Sequence, residues 1–408
     1  MDENIEVSMV SSLSGSESSS SDSDDDLLLL MLLDDDDAVR STPLLRRRWD
    51  LNYLVPLAIQ ENSFVSEYRM DPPSFGLLVS MLKEGNLLPS NEVMGDRSST
   101  SGHISVESKV GAALIMLAGG RYVEAMRTHG IAKATAFKNL KDVVKAINAH
   151  PGLEVKCDNS PEGLAERAAG FASRSSKGLF KYATGAMDGL TVAVSPRKVQ
   201  NQLMYFSGGK KKFCVNMQAV CDANCIFIAF TCMHVGSTND CTAFATSSLK
   251  DLCESQPSPY HWMADAAYPL LRTLIVPFPG AALRDHEDAF NFYLSQLRIT
   301  IERAFGMLVQ RWGIFWKKLK FDIPFCCEII HACVRLHNFC IRRGMPIINQ
   351  QHIPARAAVD ANGALTHEDW RTVDPEGRVP AENVNYLRQH IVEEIIGRSL
   401  SRENRIQR

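Results

Sequence analysis

The 408-residue sequence has no hydrophobic run long enough to cross a bilayer. Residues 27–33 are seven apolar residues in a row, far short of the roughly 20 that a membrane helix needs. The positively charged start and small-residue cleavage site of a signal peptide are also lacking, so neither export nor a membrane anchor is expected. Placed between acidic blocks, the run suits a short partner-binding motif instead. Eleven cysteines are scattered without a Cys-x-x-Cys pair. That pattern excludes a disulfide framework and predicts reduced, mostly buried thiols in an intracellular protein. Cys221, Cys225 and His234 come nearest to a zinc set, but they fall on a predicted hairpin with no fourth ligand in register.

Net charge is also small, at -3. This hides an asymmetry, because residues 1–40 hold twelve Asp or Glu against one Arg, net -11, and the remainder carries +8. Ser and Asp runs make residues 1–45 a disordered acidic leader by composition. Two readings of the asymmetry stand. A mildly basic body with an acidic tail suits a nucleic-acid binder whose tail competes for the basic face, and the leader can equally be a solvated low-complexity segment.

What is present is enough for two domains and a tail, with 45% hydrophobic residues to fill a core. Residues 46–150 read as helical. Phe75, Leu78 and Leu82 form one apolar stripe, and Val106, Val110, Leu114 and Leu117 form another behind a Ser105 cap. Residues 122–129, a turn at Gly130-Ile131-Ala132, and a long helix from Lys133 with a stripe at Phe137, Leu140, Val144 and Ile147 resemble a helix-turn-helix. Lys133, Lys138, Lys141 and Lys145 flank that stripe, either as contacts to DNA or as the solvated face of a packing helix. Residues 151–176 read as mixed and mostly loop. Beyond Gly344 the chain reads as a loop-like tail, 346–408, with a terminal docking helix near 381–398 carrying Val384, Leu387, Ile391 and Ile395.

Between these lie strands predicted at about 183–194, 213–221 and 225–234, the last two joined through Asp222-Ala223-Asn224. Asp188 falls in the middle of the first. Asp265 ends the short apolar run His261-Trp262-Met263-Ala264 before Pro269. Glu302 lies beside a stripe at Phe290, Leu294, Leu297, Ile301, Phe305, Leu308, Trp312 and Phe315, the pattern of one long amphipathic helix. Gly306, one turn on, predicts a close approach of that helix to the sheet or to a ligand. A carboxylate in an apolar strand needs a partner, and a metal ion is one such partner.

Met187-Asp188-Gly189, residues 216–224, Gly236-Ser237-Thr238-Asn239-Asp240, residues 265–269 and Glu302-Arg303-Ala304-Phe305-Gly306 occur in order. Together they resemble the nuclease domain of Harbinger-type transposases and their host-domesticated relatives, over roughly residues 180–340. The resemblance implies an α/β, RNase H-like mixed sheet with flanking helices over 151–345, preceded by the all-helical, helix-turn-helix-like domain. It also implies Asp188, Asp265 and Glu302 as an acidic triad, with Asp240 either a fourth metal-site carboxylate or an acid placed by a helix dipole behind a Ser237 or Thr238 cap. Leu336-His337-Asn338 matches core packing of that family. Two departures stand out, Leu190-Thr191 where the family has Thr-His, and Ala264 and Ala267 where it has glycines.

The implied chemistry follows from charge. Three carboxylates and one phosphodiester balance two divalent cations, Mg²⁺ or Mn²⁺, about 4 Å apart, with Asp188 bridging and Asp265 and Glu302 taking one each. Hydrolysis of DNA is the expected reaction, and strand transfer follows from the resemblance alone. Lys210, Lys211 and Lys212 form a basic loop suited to a DNA backbone, and Lys317, Lys318 and Lys320 interleave with Phe315 and Trp316. Arg298 can pair with Glu302 in the absence of metal or reach a phosphate in its presence. The resemblance further implies nuclear residence, with the cytoplasm also open, and a separate Myb-like DNA-binding partner, and it leaves self-association open. A domesticated DNA-binding or regulatory protein with decayed catalysis is the alternative.

Overall fold

The computed structural model describes residues 51–88, 104–197, 199–345 and 386–402, all within one compact unit spanning Pro43–Arg408. The acidic leader, the 27–33 run, most of the tail and Val384 lie outside the described residues. In chain order the helices are α1 Leu51–Gln60, α2 Phe64–Tyr68, α3 Pro72–Glu84, α4 Val106–Leu117, α5 Tyr122–His129, α6 Lys133–Ala149 and α7 Pro161–Ala172. Strands β1 Ala183–Ala193, β2 Phe206–Ser207, β3 Lys212–Cys221 and β4 Phe227–Val235 follow. Then come α8 Asp240–Ala245, α9 Ser248–Glu254, β5 His261–Met263, β6 Leu274–Ile275, α10 Asp285–Arg311, α11 Ile323–Arg342 and α12 Tyr386–Gly397.

The sheet is mixed and helices flank it, an arrangement consistent with a DDE nuclease fold. β3 runs antiparallel to β1 and to β4, while β5 and β6 extend the other side of β1 in parallel. Strand residues project alternately to the two faces. Met187 and Val220, paired across the strands, point into a core with Phe244, Leu249, Trp262, Tyr268 and Leu274. Asp188 therefore points the other way, towards α10. At full burial each large apolar side chain in this core contributes about 1.5–3 kcal/mol, so the pleat of β1 is firmly registered and the direction of Asp188 is fixed with it.

The β3–β4 turn is held from α11. Asn338 donates from Nδ2 to the Phe227 carbonyl (2.7 Å) and accepts from the Phe227 N–H (2.9 Å), and His337 Nε2 lies 2.9 Å from the Cys225 carbonyl. Burial pushes the His337 imidazole down to about 4, so this ring is neutral at physiological pH. These contacts give Leu336-His337-Asn338 a packing role.

The amino-terminal helices pack directly on this body. Arg311 of α10 donates to the Arg69 carbonyl (2.7 Å), and the Arg69 guanidinium donates to the Ala118 carbonyl (3.2 Å). Asn148 at the end of α6 donates to the Glu328 carbonyl on α11 (2.9 Å), and the Lys141 ammonium lies 5.7 Å over the Phe325 ring. Ser105 caps α4 by accepting from the Ser108 N–H.

Several local expectations are corrected. Residues 151–176 are not mainly loop, since Ser160 accepts from the Gly163 N–H and starts α7, which buries Leu164, Ala168 and Phe171. The long helix stops at Arg311, and Phe315 belongs to a separate 3-10 turn at Gly313–Trp316. A Cβ at Gly306 would meet nothing within 4 Å, so the helix makes no close approach to the sheet there. Asn239, not Ser237 or Thr238, caps α8, accepting from the Thr242 N–H at 2.8 Å.

Candidate active site

β1 and β5 are adjacent and parallel, with Ala186 opposite Met263. Two residues further along each chain stand Asp188 and Asp265, so the register brings the two acids to the same level at neighbouring positions. The Asp265 carboxylate is fixed by its own turn, Oδ1 accepting from the Ala267 N–H (2.8 Å). Asp188 Oδ1 accepts from the Gly189 N–H (2.8 Å). Burial, and then the negative charge of Asp265, push the Asp188 carboxyl up to about 7, against the pull of Arg298.

α10 crosses the same face and supplies the other two groups. Arg298 and Glu302 are one helical turn apart, so they share a face. One guanidinium nitrogen of Arg298 lies 2.8 Å from Glu302 Oε1 and the other 3.6 Å from Asp188 Oδ2. Arg298 thus links the strand acid to the helix acid. Among the described residues no three Asp, Glu, His or Cys side chains stand ready to hold a metal ion. The donor set is nevertheless all oxygen, as Mg²⁺ and Mn²⁺ prefer. Burial and the charge of Asp265 disfavour the ionised Asp188 carboxyl, and a divalent cation would favour it. The residues fit such an ion in donor type and charge.

Asp240 sits differently. A Cβ on Gly189 would lie 2.7 Å from Asp240 Oδ1. Gly189 follows Asp188, so by the strand pleat Asp240 approaches β1 from the face opposite α10. Its Oδ1 accepts from Gln218 Nε2 (2.8 Å) and Asn216 Nδ2 (3.0 Å). Gln218 also donates to Asn216 Oδ1 (2.8 Å) and accepts from the Tyr268 hydroxyl, while Asn216 also donates to the Thr238 carbonyl (3.1 Å). Gln218 and Tyr268 are wholly buried. Burial, and then the charges of Asp188, Asp240 and Asp265, raise the Tyr268 hydroxyl well above its ordinary range, so it remains a donor. Sequence reasoning did not reach this network. Its one signal was Gln218, a buried polar residue in the middle of an apolar strand.

The basic candidates are dispersed. Lys138 and Lys145 are exposed on α6, while Lys133 lies over the Tyr122 ring and Lys141 over Phe325. Lys210 and Lys211 lie in the exposed turn between β2 and β3, and Lys212 begins β3. The zinc set does not assemble. Cys221 pairs with Phe227 at one end of the β3–β4 hairpin and His234 with Asn216 at the other. Burial also raises both thiols, Cys221 well above its ordinary value.

Residues 187–338 match the family model described as DDE superfamily endonuclease. A curated relative, Protein ALP1-like from Arabidopsis thaliana, is 22% identical over 299 residues, covering 68% of this chain and 70% of the relative. No solved structure matches significantly. No helix of the described residues is long and apolar enough to cross a membrane. The matched segment runs from the strand of Asp188 through the helix of Glu302, so the likeness to DDE superfamily endonucleases covers all three candidate acids.

Proposed function

We propose that the protein is a divalent-metal-dependent DNA endonuclease of the transposase type, built on an RNase H-like domain over 151–345. The carrying observation is the parallel register that sets Asp188 beside Asp265, with Glu302 tied to Asp188 through Arg298. The antiparallel hairpin beside β1 and the parallel pair on its other side suit that fold. Asp188, Asp265 and Glu302 would hold Mg²⁺ or Mn²⁺, which when bound supplies Lewis-acid polarisation of a phosphodiester and an activated water.

The chain's own residues do the rest. The Ala267 and Gly189 amides keep one oxygen of each aspartate engaged, and the other oxygen of Asp188 faces Arg298 on α10. Arg298 carries the site's positive charge and, with Glu302 engaged elsewhere, is placed to receive a phosphate oxygen. Asp240 serves as a structural carboxylate that sets Gln218 beneath β1. The flanking helix pair α5–α6 forms the helix-turn-helix-like part of 46–150, with Lys138 and Lys145 offered to the phosphate backbone. A separate Myb-like partner and nuclear residence belong to the same reading, as does transfer of the freed 3′ hydroxyl to a target strand.

A second reading is a domesticated DNA-binding protein with decayed catalysis. The observation favouring it is Arg298, which stands between Asp188 and Glu302 where a cation is needed. Incubation of supercoiled plasmid with Mg²⁺ or Mn²⁺ separates the two. Nicking by the wild-type chain, lost by a factor of about 10³ or more in Asp265→Ala, is the expected outcome. Absence of nicking together with absence of metal binding supports the second reading.

A further inference from the structure

Residues 201–213 form an arm that the nuclease chemistry does not use. Leu203 and Met204 lie in a 3-10 turn with 80% and 51% of their surface exposed. Phe206 and Phe213 pair across β2 and β3 with ring centroids 5.4 Å apart, and more than a third of each is exposed. Four large apolar side chains left in water within one short segment and its paired strand mark a candidate binding surface. The arm is nonetheless fixed at its root. Val194 N–H donates to the Phe213 carbonyl (3.0 Å), and Ser237 N–H donates to the Met204 carbonyl (3.1 Å).

Charge indicates what covers it. No acidic residue occurs between Gly189 and Cys221, whereas Arg197, Lys198, Lys210, Lys211 and Lys212 do. The segment beside the arm root adds more cations. Leu319 exchanges backbone hydrogen bonds with Ala193 and Ser195, and its neighbours Lys317 and Lys318 are exposed. No acid occurs between Arg303 and Phe321 either. An apolar tip carried by acid-free, lysine-rich stretches of the chain suits a polyanion with an apolar interior, which is a nucleic-acid duplex. Position agrees, because the Val194 that pairs with Phe213 is six residues from Asp188. That is roughly 20 Å along a strand, or about six base-pair steps.

We infer that this arm, rooted about 20 Å along the strand from Asp188, is a DNA wedge, with Lys210, Lys211 and Lys212 on phosphates while Leu203 and Met204 enter an unstacked base step of the same duplex. The inference rests on the nuclease reading for its ligand class. Apolar side chains between bases partly unstack and bend a duplex, which would open the strand near Asp188.

The test uses the full chain in chelator with a 16-base-pair duplex carrying 2-aminopurine, whose fluorescence rises on unstacking. Wild type should bind with a fluorescence rise of several-fold. Leu203→Ser/Met204→Ser should bind with the same salt dependence and lose the rise. Lys210→Ala/Lys211→Ala/Lys212→Ala should lower the slope of log affinity against log salt by about 2.7, at about 0.9 per phosphate contact. Unchanged thermal midpoints exclude misfolding. The proposal is overturned if wild type binds no duplex, or if it binds without the rise. It is also overturned if both variants match wild type on DNA, including the case in which the serine variant instead reduces self-association by light scattering. Plasmid nicking on the same preparations keeps the two readings apart. Unstacking with neither nicking nor metal binding supports the wedge and removes the nuclease, and nicking without unstacking does the reverse.

Discussion

Asp188 and Asp240 stand on opposite faces of one strand and meet opposite conditions. On the Asp240 face Asp240, Gln218, Asn216 and Tyr268 are joined in one hydrogen-bonded set. On the Asp188 face Arg298 is already bonded to Glu302, and burial first and then the charge of Asp265 raise the Asp188 carboxyl to about 7. The first arrangement is what a stable fold requires of buried polar groups. The second keeps a carboxyl group perturbed by burial and by a neighbouring acid, the condition from which binding and catalysis draw. The contrast teaches that proximity of an acid to a site is a weak guide to its role, and that the account of its acceptor bonds is a better one.

The largest effect should come from breaking the Asp240 face. Gln218→Leu leaves the Tyr268 hydroxyl without its partner and the Asp240 carboxylate with Asn216 in place of two side-chain donors, and chemical denaturation should register a loss of about 3 kcal/mol. An unchanged midpoint would dissolve the contrast between the faces. Next comes pH. The folded Asp188 carboxyl titrates near 7 and an unfolded one near 3.9. The native state therefore holds the extra proton, and stability is full below about 4 and lost as pH rises to 7. In chelator, Asp188→Asn should remove this slope, gaining about 2 kcal/mol over wild type at pH 8 and nothing at pH 4. That figure is half of what three units imply at 1.36 kcal/mol each, because 22% of the side chain is exposed. The smallest effect belongs to Arg298→Gln. It should change stability by less than about 1 kcal/mol, since Glu302 is well exposed, yet tighten Mn²⁺ binding several-fold in calorimetry by releasing the acids. Weakened metal binding would instead make Arg298 part of the metal site's support.

Much of the local structure was legible from short-range pattern. The hydrophobic period placed Asp188 in a strand, Asp265 just past one and Glu302 on a long helix, and the Gly130-Ile131-Ala132 turn separates α5 from α6 as the spacing predicted. The misses were of two kinds. α7 carried its own signal, Ser160 before Pro161, and its small residues hid the apolar stripe of Leu164, Ala168 and Phe171. Gly306 and Asp240 could not be decided locally, because their surroundings come from elements distant in sequence. Gln218, Tyr268 and Gly189 meet Asp240 only once β1 and β3 pair. The arm was half legible, since its lysines are conspicuous in the sequence whereas the exposure of Leu203 and Met204 appears only in three dimensions.

The central claim is that Asp188, Asp265 and Glu302 make one cation site while Asp240, across the strand, does not belong to it. Titration of the full chain with Mn²⁺, followed by electron paramagnetic resonance of the free ion, tests this most directly. Asp188→Asn, Asp265→Asn and Glu302→Gln should each weaken binding at least tenfold, and Asp240→Asn should bind as wild type does once its lower stability is allowed for. Wild-type affinity in the three triad variants, or loss of binding in Asp240→Asn at a temperature where it is folded, would contradict the account.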